Sequence, residues 1–242
     1  RAALDELLRR NPGVRPEKLV SAHVERAAAP GAQDNGEGVR GVAAFLDLAR
    51  DPEIVDRVAD LIGDDVILWG AHVFCKPAGD GYETPWHQDG HYWPIRPLAT
   101  CTVWVALEPS LKTNGCLRVI PGSHAGRVLH EHLHEDRVDL TLTQRMADGS
   151  FDEALAADLE LQPGQMSMHD VFMIHGAAAN TSRTMAYGGG TAIKLTNSFT
   201  LTPKFEYKIG SLTVDGTATP RLRSLRHRRT DRPRPGPGRR SA

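Results

Sequence analysis

The sequence predicts a mainly β domain, either a sandwich or a barrel, with helices that back it at its N-terminal end. The first quarter of the chain has apolar residues at helical spacing, whereas from residue 65 onward short apolar runs are bounded by glycine, proline and asparagine. One of these runs, residues 100–107, alternates between a polar and an apolar face, as expected of a strand whose inner side lines a site. A length of 242 residues suits one domain of this kind or two small ones.

Helices are predicted in three segments before residue 65. Residues 2–9 and 39–49 place their apolar side chains at near-helical intervals. A third helix begins at Asp51-Pro52, which resembles an N-cap followed by proline at the first helical position. Gly63 stands where a helix-terminating glycine is expected. We expect these helices to pack against a sheet.

Strands are predicted wherever a short apolar run lies between turn residues. Short strands of this kind favour a sandwich or barrel over a doubly wound sheet. No internal repeat is present. The candidate strands are residues 66–74, 99–107, 116–120, 158–161, 165–169, 172–175 and 191–200.

The composition narrows the class of protein. No apolar run approaches the ~20 residues that span a bilayer, so no membrane partner is expected. Cys75, Cys101 and Cys116 form no CxxC motif, which argues against a disulfide framework and a cysteine zinc site. We therefore expect a reducing, cytoplasmic location without a signal peptide. The chain begins with Arg1 instead of Met, which indicates a fragment or a processed product.

The C-terminal residues 221–242 are strongly basic. They contain nine arginines and one aspartate, against a net charge of −1 for the whole chain. We expect this segment to be a disordered tail after one domain of residues 1–220, whose helices occupy residues 1–64. A basic tail can contact nucleic acid. No aromatic residue is interleaved with the arginines, however, so nucleic acid is not an expected partner.

A His-x-Asp pair, His87 and Asp89, follows the first long strand. Side chains two apart in an extended segment point the same way, so both could bind one ion. One imidazole and one carboxylate, completed by a distant second histidine, form the facial triad that holds non-haem Fe(II). His175 is the candidate for that histidine, because it ends an apolar run and precedes a glycine. Arg183 follows, and its planar guanidinium suits a carboxylate co-substrate.

Other histidines could also lie near such a site. His130, His132 and His134 would share one face of an extended segment, but charged neighbours favour a solvated loop or a lid. His169 can line the same barrel as His175.

Three blocks of sequence resemble the phytanoyl-CoA dioxygenase family. The Asn-Gly-x-Leu-x-x-x-Pro-Gly-Ser-His run is far more specific than His-x-Asp alone, and the similarity extends from about residue 46 to about residue 202. The blocks are Trp86-His87-Gln88-Asp89-Gly90 with Tyr92-Trp93-Pro94, then Asn114 to His124, then His175-Gly176 with Asn180-Thr181-Ser182.

The resemblance implies a double-stranded β-helix, a cupin-like jelly-roll, that uses Fe(II), 2-oxoglutarate and O₂. By position, His87, Asp89 and His175 correspond to the iron ligands of the family. The implied activity is hydroxylation of a small organic molecule, with release of succinate and CO₂. Asp89 favours hydroxylation, because halogenases similar to this family lack that carboxylate.

The resemblance also implies contacts to 2-oxoglutarate from Arg183, Trp104 and His72. Arg183 would bind the distal carboxylate. It follows the distal histidine by eight residues, where the family usually has ten or eleven. Either a short loop deletion explains this, or Met185 occupies the place of the arginine and Lys194 is the reserve cation.

Two alternatives to the enzyme remain open. One is a catalytically silent, metal-binding relative of the same fold. The other is an interaction protein that acts through residues 221–242. The motifs predict neither the substrate nor the oligomeric state. We expect the N-terminal helices and residues 128–157 to build the substrate pocket.

Overall fold

The computed structural model describes residues 2–25, 39–93 and 98–182, together with the backbone of residues 191–196. Within these residues the chain is mostly sheet, with helices at its N-terminal end. None of the described helices is long and apolar enough to cross a membrane. The predicted basic tail, residues 221–242, lies outside the described residues.

The described N-terminal helices agree with the sequence prediction at most of their ends. Asp51 caps α3, because its carboxylate accepts a hydrogen bond from the Glu53 N–H at 2.9 Å, and Gly63 ends the helix with φ 92°. The second helix starts later than predicted, since the N–H groups of Gly41 and Val42 donate to the carbonyls of residues 24 and 22. The helices are α1 (Ala2–Arg10), α2 (Ala43–Ala49) and α3 (Pro52–Ile62), with one further turn, α4 (Asp89–Tyr92), after the second strand.

Two antiparallel sheets of four strands each form the body of the domain. The strand order of the first sheet is β1-β10-β3-β8, and that of the second is β2-β9-β4-β7. A two-stranded hairpin, β5-β6, is inserted between β4 and β7. The strands are β1 (Ile67–Val73), β2 (Thr84–His87), β3 (Thr100–Val105), β4 (Leu117–Val119), β5 (His132–His134), β6 (Gln144–Met146), β7 (Ala157–Leu159), β8 (Met166–His169), β9 (His175–Ala177) and β10 (Thr191–Thr196).

The chain passes back and forth between the two sheets, which is the jelly-roll arrangement. β1, β3, β8 and β10 belong to one sheet, and β2, β4, β7 and β9 to the other. Among the described strands no pairing joins the two sheets, so they form a sandwich and not a closed barrel. The predicted fold class, a jelly-roll backed by N-terminal helices, is confirmed.

Helix α3 covers the outer face of the first sheet. Its buried Val58 and Ala59 belong to the same apolar cluster as Cys101, Val103 and Val105 of β3. The opposite face of β3 is therefore directed into the sandwich. Thr100, Thr102 and Trp104 lie on that inner face, as their alternation with the apolar residues predicts.

The predicted strand at residues 172–175 is wrong, because β9 begins only at His175. Asp170 explains the difference: its Oδ1 accepts hydrogen bonds from the N–H groups of Phe172 and Met173 and closes a turn. The run is apolar because Phe172 and Ile174 are buried, and not because the backbone is extended.

Gly115 explains why glycine stands in the Asn-Gly block, and its replacement gives a first prediction. Its φ is 81°, and a Cβ there would collide with the carbonyl oxygen of Ala178, just beyond β9. We expect Gly115→Ala to lower the free energy of unfolding by about 3 kcal/mol, from backbone strain and steric overlap together. Chemical denaturation measures this loss.

Gly149→Ala is the matched control for this prediction. Gly149 has φ 75°, but a Cβ there would have no neighbouring atom within 4 Å. We therefore expect it to cost only about 1 kcal/mol, the strain of a left-handed conformation. Equal losses in the two variants would contradict the steric explanation at Gly115.

Candidate metal and co-substrate site

The pairing of β2 with β9 brings two histidines together. His87 lies directly opposite His175 in this antiparallel pair, and their imidazole centroids are 4.1 Å apart. Gln88 has φ −122° and ψ 126°, so the chain is extended through Gln88, as the sequence predicts. Asp89 then opens α4 on the same side as His87, with its Oδ1 3.7 Å from His87 Nε2.

The three buried side chains could hold a metal ion. One ligand atom from each of His87, Asp89 and His175 lies within 4.8 Å of the other two. No other group of this kind occurs in the part of the chain that the structure describes. Two nitrogen ligands and one oxygen ligand are the donor set that suits non-haem Fe(II).

Hydrogen bonds to the backbone orient both imidazoles. His87 Nδ1 is 2.8 Å from the carbonyl oxygen of Pro85, and His175 Nδ1 is 2.9 Å from that of Met173. A carbonyl oxygen can only accept, so each Nδ1 carries the proton and each Nε2 keeps its lone pair for a metal. Burial also holds the pKa of His175 well below its ordinary value, which favours the neutral imidazole.

A side chain of the first sheet fixes the carboxylate of Asp89. Thr102, on the inner face of β3, donates a hydrogen bond from Oγ1 to Asp89 Oδ2 at 3.0 Å. His169, at the end of β8, places Nε2 4.0 Å from the same oxygen and its ring centroid 4.5 Å from that of His175. Asp89 Oδ1 is the oxygen directed toward His87. The interpretation that His169 lines the same interior as His175 agrees with this position.

Comparison with known proteins identifies the family. The family model described as phytanoyl-CoA dioxygenase matches residues 12–186, well over half of the chain. The chain belongs to the phytanoyl-CoA dioxygenase family.

The matches to curated relatives cover part of this chain and part of each relative. A "Probable phytanoyl-CoA dioxygenase" of Caenorhabditis elegans is 29% identical over 160 residues, 60% of this chain and 51% of the relative. A "Probable alpha-ketoglutarate-dependent hypophosphite dioxygenase" of Stutzerimonas stutzeri is 26% identical over 140 residues, 57% of this chain and 49% of the relative. The chain thus spans about half the length of these curated relatives.

A solved structure supports the fold. The non-heme monooxygenase ThoJ, in its apo form, has 30% sequence identity and a TM-score of 0.53, covering 64% of this chain and 54% of that chain. The jelly-roll of this phytanoyl-CoA dioxygenase family member is therefore shared with a solved oxygenase.

Two of the predicted co-substrate residues lie on the inner face of the first sheet. The register pairs residue 192 of β10 with both Trp104 of β3 and His72 of β1, so these two side chains point to the same face, two strands apart. Trp104 is buried against Leu117 and Val119 of the second sheet. His72 is half-buried, with its ring 6.4 Å from that of Phe74.

The side chains of the other residues predicted to contact the co-substrate lie outside the described part of the structure. Arg183 and its alternative Met185 lie outside the described residues. For Lys194 only the backbone is described, and it pairs with Thr102 on one side and Gly70 on the other. The role of these residues remains a prediction.

A cavity of about 560 Å³ lies next to Asp89, although none of the three candidate ligands belongs to its lining. His169 connects the two regions, because it lines the cavity and also approaches Asp89. Leu61 and Ile62 of α3 contribute to the lining, whereas residues 128–157 are absent from its described part. That these segments build the substrate pocket remains a prediction. The described lining of the cavity includes Leu61, Ile62, Thr100, His124, Arg127 and His169.

The hairpin β5-β6, part of residues 128–157, contacts residues 87–89 and does not line the cavity. His132 Nε2 accepts a hydrogen bond from the Gln88 N–H at 3.1 Å, and its ring stacks on that of His91 at 4.2 Å. Burial lowers the pKa of His132 to about 4, so this imidazole is a neutral acceptor. His134 is exposed and pairs with Asp136. The three histidines of this segment therefore do not gather around one ion, and the lid interpretation fits the position of His132.

Gln88 is a site residue that the sequence analysis missed. Its side chain is fully buried, and Nε2 donates to the carbonyls of Val128 and Phe172, both at 2.8 Å. Its Oε1 accepts a hydrogen bond from the His130 N–H at 2.8 Å. The residue between the two candidate ligands thus connects them to the segment before β5 and to the turn before His175. In the sequence, this role of Gln88 is indicated only by its position inside the His-x-Asp motif.

Proposed function

We propose that this protein is an Fe(II)- and 2-oxoglutarate-dependent dioxygenase that hydroxylates a small organic molecule. The observation that carries the proposal is the buried cluster of His87, Asp89 and His175, whose ligand atoms lie within 4.8 Å of one another. Such a triad occupies one side of an iron ion and leaves positions for a co-substrate and O₂. Membership of the phytanoyl-CoA dioxygenase family supports the same reaction.

Iron and 2-oxoglutarate supply the oxidising chemistry when bound: O₂ and 2-oxoglutarate are consumed, succinate and CO₂ are released, and a C–H bond becomes C–OH. The protein's own part is to bind and orient. The carbonyls of Pro85 and Met173 keep the two imidazoles in the tautomer that binds metal. Thr102 fixes the carboxylate of Asp89, and burial limits the access of water to the centre.

The proposed co-substrate contacts are Trp104, His72 and Arg183. Trp104 and His72 lie on the inner face of the first sheet, the face from which Thr102 reaches Asp89. A co-substrate bound along this face would reach the metal. Arg183 is proposed from its place in the sequence alone, after the distal histidine.

A small substrate is proposed to bind in the cavity beside His169. Its volume of about 560 Å³ lies within the range of roughly 300–1,000 Å³ that is usual for small-molecule sites. His169, which lines the cavity, lies 4.0 Å from Asp89 Oδ2, the oxygen to which Thr102 of the first sheet donates.

The test is an anaerobic titration of the protein with Fe(II) and 2-oxoglutarate. We expect a visible metal-to-ligand charge-transfer band, and succinate release once O₂ is admitted. Bound iron without a band or succinate would favour the catalytically silent relative. Removing residues 221–242 is expected to leave the band in place, whereas an interaction protein acting through this segment would lose its function with it.

A further inference from the structure

The cavity beside the metal centre has two chemically different ends. At the inner end lie His169 and Thr100, and Thr100 is only 3% exposed. Among the described residues its Oγ1 has no hydrogen-bond partner. A buried hydroxyl in this position suits a polar group of a ligand, because leaving it without a partner costs free energy. At the outer end lie the exposed side chains of His124 and Arg127.

Most of the other described lining residues are apolar. They include Met168 and Met173 and, at the end of α3, Leu61 and Ile62. Leu61 is 63% exposed, which is a high value for a large apolar side chain beside a cavity. An apolar segment of a ligand would cover this surface.

Arg127 is held in an unusual backbone conformation at the mouth of the cavity. Its φ is 49°, in the left-handed region that residues other than glycine rarely adopt. Its N–H donates to the carbonyl of His124 at 3.0 Å. Its guanidinium lies over the ring of Phe172, 4.9 Å from the centroid. Stacking on an aromatic ring restricts the guanidinium before a ligand arrives, so less side-chain freedom is lost on binding.

The charge of Arg127 is not paired within the described part of the protein. No described carboxylate lies within ion-pair distance of its guanidinium. Asp170 also lines the cavity, but its Oδ1 accepts the N–H groups of Phe172 and Met173 and so closes the turn before β9. The planar N–H groups of an arginine match a carboxylate or a phosphate through two parallel hydrogen bonds.

We propose that the substrate is a small molecule with an apolar body and an anionic group, and that Arg127 binds this group at the mouth of the cavity. The anion would be a carboxylate or a phosphate. The apolar body would lie on Met168 and Met173, which leaves the far end of the molecule beside Thr100 and His169. That this end is oxidised rests on the proposed function, whereas recognition of the anion does not.

The test uses four probes of equal chain length: octanoate, octyl phosphate, octanol and octylamine. Their binding is measured by calorimetry under anaerobic conditions, with Fe(II) and 2-oxoglutarate present and again without them. We expect the two anions to bind about tenfold more tightly than octanol, which corresponds to about 1.4 kcal/mol, and octylamine to bind no better than octanol. The stronger of the two anions identifies the anionic group.

Variants of Arg127 show whether this residue is responsible. Arg127→Gln is expected to remove the tenfold preference for anions and to leave the affinity for octanol unchanged. Arg127→Lys is expected to keep part of the preference, because it retains the charge but loses the planar pair of donors. Arg50→Gln, at an exposed arginine outside the cavity lining, is the matched control and should bind all probes like the wild type.

Equal affinity of the wild type for octanoate, octyl phosphate and octanol would overturn the proposal, and so would a preference that survives in a folded Arg127→Gln variant. Failure of all four probes to bind would overturn it as well. These outcomes are independent of the proposed reaction. A missing charge-transfer band leaves the anion preference measurable, and an intact band with no preference refutes this inference alone.

Discussion

Replacing His87 with alanine is expected to abolish the charge-transfer band of the Fe(II)–2-oxoglutarate complex. His87 Nε2 faces Asp89 and His175, and its loss would leave one nitrogen and one carboxylate for the ion. Iron affinity should fall by more than about a hundredfold, since even groups that only orient a ligand contribute 10–100-fold. The measurement is the anaerobic titration, followed by succinate release in the presence of O₂.

His134→Ala is the matched control for this result. The His134 side chain is 68% exposed, and its partner Asp136 is also at the surface. We expect the band, the iron affinity and the thermal transition of this variant to match those of the wild type. A folded His87→Ala variant that still develops the full band would exclude His87 as a ligand and contradict the proposed centre.

Replacing Gln88 with methionine is expected to cause the second large effect, on stability and on the metal centre together. Methionine has a similar length but makes none of the three side-chain hydrogen bonds of Gln88. The carbonyls of Val128 and Phe172 and the N–H of His130 would each lose their bond to this side chain. Because a buried polar group without a partner costs about 1–3 kcal/mol, we expect the free energy of unfolding to fall by about 3 kcal/mol.

The effect on the metal centre follows from the position of these bonds. One of them anchors Phe172, three residues before His175, to the residue that lies between His87 and Asp89. Loss of this anchor would allow the third ligand to shift relative to the other two. We therefore expect a weaker affinity for iron in Gln88→Met even at temperatures where the variant is fully folded.

Gln165→Met provides the comparison for Gln88. Gln165 is exposed, and its side chain makes a single local bond to the Gln162 N–H. We expect a change within about 0.5 kcal/mol and an unchanged iron titration. If Gln88→Met proved as stable as Gln165→Met and bound iron as tightly as the wild type, Gln88 would have no positioning role.

Several elements could be predicted because their signals are local. The ends of α3 follow from Asp51, Pro52 and Gly63, which act on neighbouring backbone groups. The alternation at residues 100–107 predicts which face of β3 is turned inward, and Thr102 and Trp104 are found on it. Another local prediction was wrong. The apolar run at residues 172–174 has the pattern of a strand, but the side chain of Asp170 closes it into a turn.

The sequence alone determined the family, the fold class and which three residues to examine as a metal triad. Only the tertiary structure decided how they meet, because β2 and β9 pair through backbone hydrogen bonds whose register is not encoded in the motif. It also decided that Thr102 holds Asp89, that Gln88 points away from the centre to link three segments, and that Arg127 stands at a cavity mouth. These roles depend on residues distant in sequence that packing brings within a few ångströms, and no local pattern records such distances.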